Sequence, residues 1–232
     1  MDWFWASIDS TRPHAVPMLL AWHARLMVLA WAILVPLGII AARYFKVTPR
    51  QDWPNRLDNP AWWHFHRRTQ TMAAFAMAIG FGLAVVGGRD QAPLHQTLGF
   101  IVLGLTVFQI AAALLRGTKG GPTAPAPDGS LRGDHYDMTP RRIWFERGHK
   151  YGGAVALALS VVTILTGLWA LNAPHWMWLT LGLWWLFGLG VMAGLERGIG
   201  AQNTYQAIWG PDPLLPGNQK RPVGFRVRDI RR

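Results

Sequence analysis

Five long apolar stretches, separated by polar segments, dominate the hydrophobic pattern of the chain. They cover residues 18–42, 71–88, 97–115, 152–171 and 176–195. A helix needs about 20 residues to cross the hydrocarbon core of a bilayer. The second stretch is the shortest, but the Trp- and His-rich residues 62–66 can extend its helix into the interface. Backbone polar groups must be satisfied inside lipid and no strand-like alternation is present, so we expect all five stretches to be helical.

The pattern therefore predicts an all-α integral membrane protein with five transmembrane helices. We expect an extracytoplasmic N-terminal tail (1–17), four helices within residues 18–171, a fifth helix (172–197) and a cytoplasmic basic tail (198–232). Pro36 predicts a kink in the first helix. No cleavable signal peptide is evident, because the first 17 residues carry acids and Trp. The tail is rich in Pro, Gly and cations, which predicts an extended segment whose apolar patch, 204–209, can lie on the membrane surface.

The composition of the chain agrees with a membrane protein, and the distribution of its charges predicts how the helices are oriented in the membrane. Hydrophobic residues make up 51% of the 232 residues and charged residues 15%, below the roughly 25% of soluble domains. Cys is absent, which excludes thiolate sites and disulfides. The net charge of +11 raises the question of nucleic acid, but 20 of the 23 Lys and Arg lie in the two long loops and the tail. Only Arg12, Arg25 and Arg89 lie elsewhere. The positive-inside rule then predicts cytoplasmic loops and tail, an outer N-terminus and no nucleic-acid partner.

Four of the eight histidines share depths in this topology. His23 lies 20 residues before the arginine that ends the first stretch, and His95 lies 21 residues before the arginine that ends the third. At 1.5 Å per residue, both lie about 30 Å above the cytoplasmic boundary. His66 and His149 begin the second and fourth stretches from the cytoplasmic side. The four histidines therefore make two pairs, one toward each membrane face.

Paired imidazoles on neighbouring helices suit a b-type haem with both axial positions filled, which passes electrons without binding substrate at the iron. Any one of these histidines, taken alone, is also typical of a membrane interface. Two-His sites without carboxylate or thiolate are poor cages for a bare zinc or iron ion. His64 competes with His66, because residues two apart on a helix point about 200° apart and only one can face a haem. Periodicity does not choose between them.

Two arginines are candidates for contacts with the cofactor. Arg25 lies inside an apolar stretch, so that it either reaches outward to the interface or meets an anion such as a haem propionate beside His23. Arg67 can serve the cytoplasmic haem in the same way, as can Arg68, Arg142 and Lys150. Solvated interface charge is the alternative for each of them.

The order of several motifs resembles the cytochrome b561 superfamily, especially the b561 domains that accompany a DOMON domain in many proteins. The resemblance covers about residues 23–171, with five apparent spans where ascorbate-type members usually have six, and we expect a core without a DOMON domain. The residues that carry it are His23, Ala42-Arg43-Tyr44, Trp62, His66-Arg67, Gln70, His95, Gly99, Gln109, Arg142, Trp144, His149 and Gly153.

The resemblance implies a dihaem four-helix bundle with two haem b groups, one held by His23 and His95 and the other by His66 and His149. It also favours His66 over His64, because Arg67 and Gln70 follow His66 at the family spacing. Family members move electrons across a membrane, often from ascorbate to monodehydroascorbate or ferric iron.

The resulting hypothesis is transmembrane electron transfer through two bis-histidine haems, with no catalytic side chain. Membrane lipid is an expected partner, as are a small-molecule or protein donor and acceptor (ascorbate, quinol or a dehydrogenase), and a homodimer or larger complex is compatible with the sequence. The expected location is a bacterial inner membrane. One alternative is a haem-bearing or structural anchor subunit of a redox complex. A His-based metal or proton transporter is less favoured, because the stretches contain no acid before Glu196.

Overall fold

A computed structural model describes residues 2–88 and 92–230, and most of them are helical. Arg89, Arg231 and Arg232, which the charge analysis counted, lie outside these described residues. The elements are α1 (Asp2–Trp5), α2 (Met18–Val28), a π-helical turn (Leu29–Leu34), α3 (Val35–Tyr44), α4 (Ala61–Val86), α5 (Pro93–Leu114), α6 (Pro140–Ala170), α7 (His175–Gly198), β1 (Ala201–Gln202), α8 (Thr204–Trp209) and β2 (Val227–Arg228).

Within the described residues, five helical segments are long and apolar enough to cross a membrane: Met18–Tyr44, α4, α5, α6 and α7. The expectation of a mostly helical membrane protein with five spans is confirmed. Large apolar side chains stay exposed on these helices, for example Phe100 and Val107 on α5 and Leu183 and Phe187 on α7. A surface so rich in apolar side chains requires lipid or a partner to cover it.

Helix α6 begins at Pro140, 12 residues before the apolar stretch that predicts it. Pro140 occupies its start, where a missing backbone N–H costs no helical hydrogen bond. The additional turns are polar and carry Arg142, Glu146 and His149. This extension places His149 well inside the helix.

The first span departs from α-helical geometry just before Pro36, where the π-helical turn Leu29–Leu34 joins α2 to α3. Proline has no N–H, so it cannot bond the carbonyl four residues earlier, which belongs to Ala32. The indole N–H of Trp184 on α7 donates to the Ala32 oxygen instead, at 2.7 Å. A buried carbonyl that proline leaves free is thereby satisfied by the fifth span.

The chain divides into two compact units, and all five spans contribute residues to both. Unit 1 contains residues 1–38, 67–104 and 156–194, and unit 2 contains residues 39–66, 105–155 and 195–232. His23 and His95 belong to unit 1, and His66 and His149 belong to unit 2.

In unit 1, the N-terminal segment docks on the turn between α6 and α7. The side chain of Asn172, only 2% exposed, donates to the carbonyls of Asp9 (2.9 Å) and Arg12 (2.6 Å). Its oxygen accepts from the Asp9 backbone N–H at 3.0 Å. Asn172 adopts a φ of +48°, a backbone conformation that asparagine tolerates better than most residues.

In unit 2, the C-terminal tail is folded, and the expectation of an extended tail with residues 204–209 on the membrane surface is wrong. Strand β1 pairs in parallel with β2, and every described residue of α8 from Tyr205 to Trp209 is buried. Tyr205, Ile208 and Trp209 form a core with Met138. The overall composition of the tail does not predict this core, because the apolar residues of α8 pack against residues that are distant in sequence, such as Met138.

Candidate haem sites

The first histidine pair lies in unit 1. The ring of His23, from α2, and the ring of His95, from α5, have centroids 6.1 Å apart and planes at 89°. The Nδ1 atom of His23 lies 2.8 Å from the carbonyl oxygen of Gly80 on α4, and Nδ1 of His95 lies 2.9 Å from the carbonyl oxygen of Thr163 on α6. A carbonyl can only accept, so both rings carry their proton on Nδ1 and offer the lone pair of Nε2 to a ligand.

Gly167 gives the His95 ring its place against α6. A Cβ at position 167 would lie 2.9 Å from Cε1 and 3.1 Å from Nδ1 of His95. The absent side chain therefore lets the ring reach the Thr163 carbonyl, one turn earlier on the same helix.

The second pair lies in unit 2 and repeats the geometry of the first. The rings of His66, from α4, and His149, from α6, have centroids 6.1 Å apart and planes at 84°. Trp63 flanks His66 and Phe145 stacks on His149, with centroid distances of 6.2 and 5.4 Å. His64 is exposed. The structure thus brings His66, and not His64, against His149.

Gln109 on α5 supports His149 from its other side. One end of its amide lies 2.7 Å from Nδ1 of His149, and the other end lies 3.0 Å from the backbone nitrogen of Gly153. Gly152 leaves room for this amide, because a Cβ there would lie 2.7 Å from the Gln109 side-chain nitrogen.

A buried charged cluster lies one turn from His149 on α6. Glu146, whose side chain is 5% exposed, binds Lys150 (Nζ to Oε2, 2.6 Å) and Arg142 (Nε to Oε1, 3.1 Å). His135 places Nε2 4.0 Å from Oε1 of the same carboxylate. A buried carboxylate needs such partners, since removal of one would leave an uncompensated charge. In the sequence, only the i, i+4 spacing of Arg142 and Lys150 from Glu146 points to this cluster.

Two residues in loops near this cluster, His135 and Lys46, are buried, and their pKa values lie below the usual values. Burial, with the charge of Arg142 second, lowers the pKa of His135 to about 3. Burial and the charge of Lys150 hold the pKa of Lys46 well below its usual value. Lys46 donates to the carbonyl of Gln202 at 3.0 Å and lies over the ring of Trp62.

The two arginines that the sequence marked as cofactor contacts are both exposed. The guanidinium of Arg25 lies over the ring of Trp22, 5.1 Å from its centroid. This stacking suits an arginine that reaches the interface. The role of Arg25 and Arg67 toward a haem stays a prediction.

Both pairs fit a planar metal macrocycle better than a bare ion. Metal–imidazole bonds are about 2 Å long, so that two rings sharing one ion on opposite sides have centres about 6 Å apart. Both pairs have this spacing. Among the residues that the structure describes, no group of three or more His, Asp or Glu is placed to hold a metal ion. Two histidines need further donors in the plane between them, and a porphyrin supplies four nitrogens there.

Comparison with known proteins supports this reading. A cytochrome b561, DM13 and DOMON domain-containing protein of Arabidopsis thaliana is 28% identical to the chain over 180 residues, which are 75% of the chain and 18% of that protein. Ferric-chelate reductase 1 of Bos taurus is 31% identical over 163 residues, and its Homo sapiens counterpart is 30% identical over 166, each covering 24% of the relative. The chain is thus similar to cytochrome b561 domain proteins and ferric-chelate reductases over about two thirds to three quarters of its length, consistent with a cytochrome b561 core.

The chain thus spans about a fifth to a quarter of the length of these relatives. No family model and no solved structure matches it. Its five apolar helices and its b561-type relatives support a multi-pass membrane protein with a cytochrome b561 core.

Proposed function

We propose that this b561 protein transfers electrons across a membrane through two haem b groups. His23 and His95 hold one, and His66 and His149 hold the other, as a four-helix dihaem bundle formed by the first four spans. The observation that carries the proposal is the repeated geometry of the two pairs, each with ring centroids 6.1 Å apart. When bound, such a haem would supply a one-electron iron couple.

The protein residues have three tasks in this function. The Gly80 and Thr163 carbonyls keep the proton of the first pair on Nδ1, so that both Nε2 atoms face the cofactor. Phe145 and Trp63 flank the second pair with rings that exclude water. All four histidines are partly buried between the helices, which limits access of other ligands to a metal bound there.

Orientation and partners follow from charge and from the relatives. We place the N-terminus outside, and the two long basic loops and the tail in the cytoplasm, by the positive-inside rule. A bacterial inner membrane is the proposed location. The relatives named ferric-chelate reductases suggest a ferric chelate as one acceptor. Ascorbate, a quinol or a partner dehydrogenase are candidate donors, and a redox-difference spectrum with each of them would identify the donor by rapid reduction.

The test of the two haem sites uses single alanine variants and pyridine haemochrome analysis. The wild-type protein should contain about two haem b per chain. His23→Ala or His95→Ala should each remove one haem, and His66→Ala or His149→Ala should each remove the other. His64→Ala is the matched control, since His64 is exposed two residues from His66; it should keep both haems. A pure protein without haem, or equal loss of both haems in all four variants, contradicts the proposal.

A further inference from the structure

The partner of Nδ1 differs between His149 and the two histidines of the first pair, and this difference has a chemical consequence if the proposed function holds. In unit 1, His23 and His95 bond backbone carbonyls, which can only accept a hydrogen bond. In unit 2, His149 faces the side-chain amide of Gln109 at 2.7 Å. An amide has an accepting end and a donating end of nearly the same shape, so it can present either one.

Each orientation of the Gln109 amide matches one tautomer of His149. With its nitrogen toward His149, the amide donates to Nδ1, and its oxygen accepts from the Gly153 N–H at 3.0 Å. The proton of the ring is then on Nε2, and the ring cannot bind a metal there. With its oxygen toward His149, the amide accepts from Nδ1–H, and its nitrogen donates to the Gly148 carbonyl at 3.4 Å. The oxygen then also faces the His149 carbonyl at 3.2 Å and the nitrogen faces the Gly153 nitrogen at 3.0 Å, so this arrangement gives up two hydrogen bonds of the first. Only this second arrangement leaves the Nε2 lone pair for a metal.

We propose that Gln109 is a positioning residue that selects the ligating tautomer of His149 and sets how strongly its Nε2 donates to iron. A stronger acceptor on Nδ1–H makes the imidazole a better donor and stabilises the oxidised metal, whereas loss of the acceptor has the opposite effect. The redox potential of the haem on His66 and His149 therefore depends on the side chain at position 109. The other haem has backbone acceptors and lacks this dependence.

The geometry around the amide supports a dedicated position. Gly152, on the same helix as His149, leaves space for the amide in either orientation, and the Gly153 N–H bonds the amide oxygen only when the nitrogen faces His149. A Cβ at Gly152 would lie 2.7 Å from the Gln109 nitrogen, so Gly152→Ala should displace the amide without changing its chemistry.

The experiment measures the midpoint potentials of both haems by potentiometric titration of the whole purified protein. Gln109→Glu should shift the potential of the His66/His149 haem to more negative values, and Gln109→Leu should shift it to more positive values. Gly152→Ala should shift it in the same direction as Gln109→Leu. The matched control is Gln70→Leu, because Gln70 donates to the Val35 backbone carbonyl (3.2 Å) in unit 1. That variant should leave the potential of the His66/His149 haem unchanged.

Unchanged potentials in Gln109→Glu and Gln109→Leu, shifts of the same sign in both, or equal shifts of the two haems would overturn the role of Gln109. If Gln109→Leu loses its haem, the signs in Gln109→Glu and Gly152→Ala decide the question in the same way. A wild-type protein without haem would instead refute the proposed function. The two failures are therefore distinguishable.

Discussion

Gly167 shows how a single absent side chain can shape a histidine site. A Cβ at this position would approach the His95 ring to 2.9 Å, closer than side-chain carbons normally pack. We expect Gly167→Ala to push the ring away from the Thr163 carbonyl and to lower the content of the proposed His23/His95 haem, while the proposed His66/His149 haem stays. Haem per chain measures this. Gly182→Ala is the control, since nothing lies within 4 Å of a Cβ there. Equal haem contents in both variants would contradict the steric argument.

The buried side chain of His135 should make the free energy of unfolding depend on pH between about 3 and 6.5. Burial lowers its pKa from 6.5 to about 3, so between these values the unfolded chain binds a proton that the folded chain does not. Stability must then rise with pH across this range and fall on acidification. In His135→Gln, the fall of the melting temperature between about pH 6.5 and 4 should be smaller than in the wild type. His64→Gln, at an exposed position, should keep the wild-type slope.

Residues differ in how far the sequence predicts their part in the sites. Depth along the spans groups His23 with His95 and His66 with His149, because rise per residue is fixed in a helix. Depth does not distinguish His64 from His66, since that choice depends on how α4 is rotated toward its neighbours. The carbonyls of Gly80 and Thr163 leave no trace in the sequence at all, because every residue has one.

At the level of whole helices, the hydrogen bond from Trp184 to Ala32 ties the fifth span to the first within unit 1. Pro36 makes the free carbonyl predictable from sequence, but the donor comes from a residue 152 positions away. Periodicity carries no information about such a pairing. The polar first turns of α6 are not predicted by the apolar stretch either. Hydropathy detects only the apolar part of a helix, and these turns are polar.

Trp184→Phe should leave the Ala32 carbonyl without its donor while keeping most of the aromatic contact. An unsatisfied buried acceptor costs about 1–3 kcal/mol, so we expect a melting temperature lower by several degrees in detergent. Trp5→Phe is the control, because Trp5 is 67% exposed. A melting temperature of Trp184→Phe equal to that of the control would show that another donor replaces the indole.

On the scale of the whole molecule, unit 2 depends on the C-terminal tail and unit 1 does not contain it. The tail contributes Tyr205, Ile208 and Trp209 to a buried core, and Gln202 bonds both backbone groups of Val47. The average composition of the tail does not predict this core. A few apolar residues in the tail are enough, because the loops provide the rest of the core. The folded tail covers Tyr205, Ile208 and Trp209, while Leu214 and Phe225 stay exposed.

Trp209→Ala should therefore affect the two proposed haems unequally. Truncation of a buried Trp costs about 3–5 kcal/mol, and the loss falls on the unit that holds His66 and His149. We expect the haem of that pair to be released first on heating, while the His23/His95 haem follows its wild-type course. Truncation after Gly200 should give the same order more strongly. Simultaneous release of both haems would mean that the units do not respond separately.

The division into units also bears on the order in which the chain is made. Unit 1 takes in no residue after 194, whereas unit 2 also takes in residues 195–232, including the pairing of β2 with β1. All residues of unit 1 are therefore synthesised before β2. The proposed site of His23 and His95 thus has its whole unit in the nascent chain while the unit of His66 and His149 still lacks a strand.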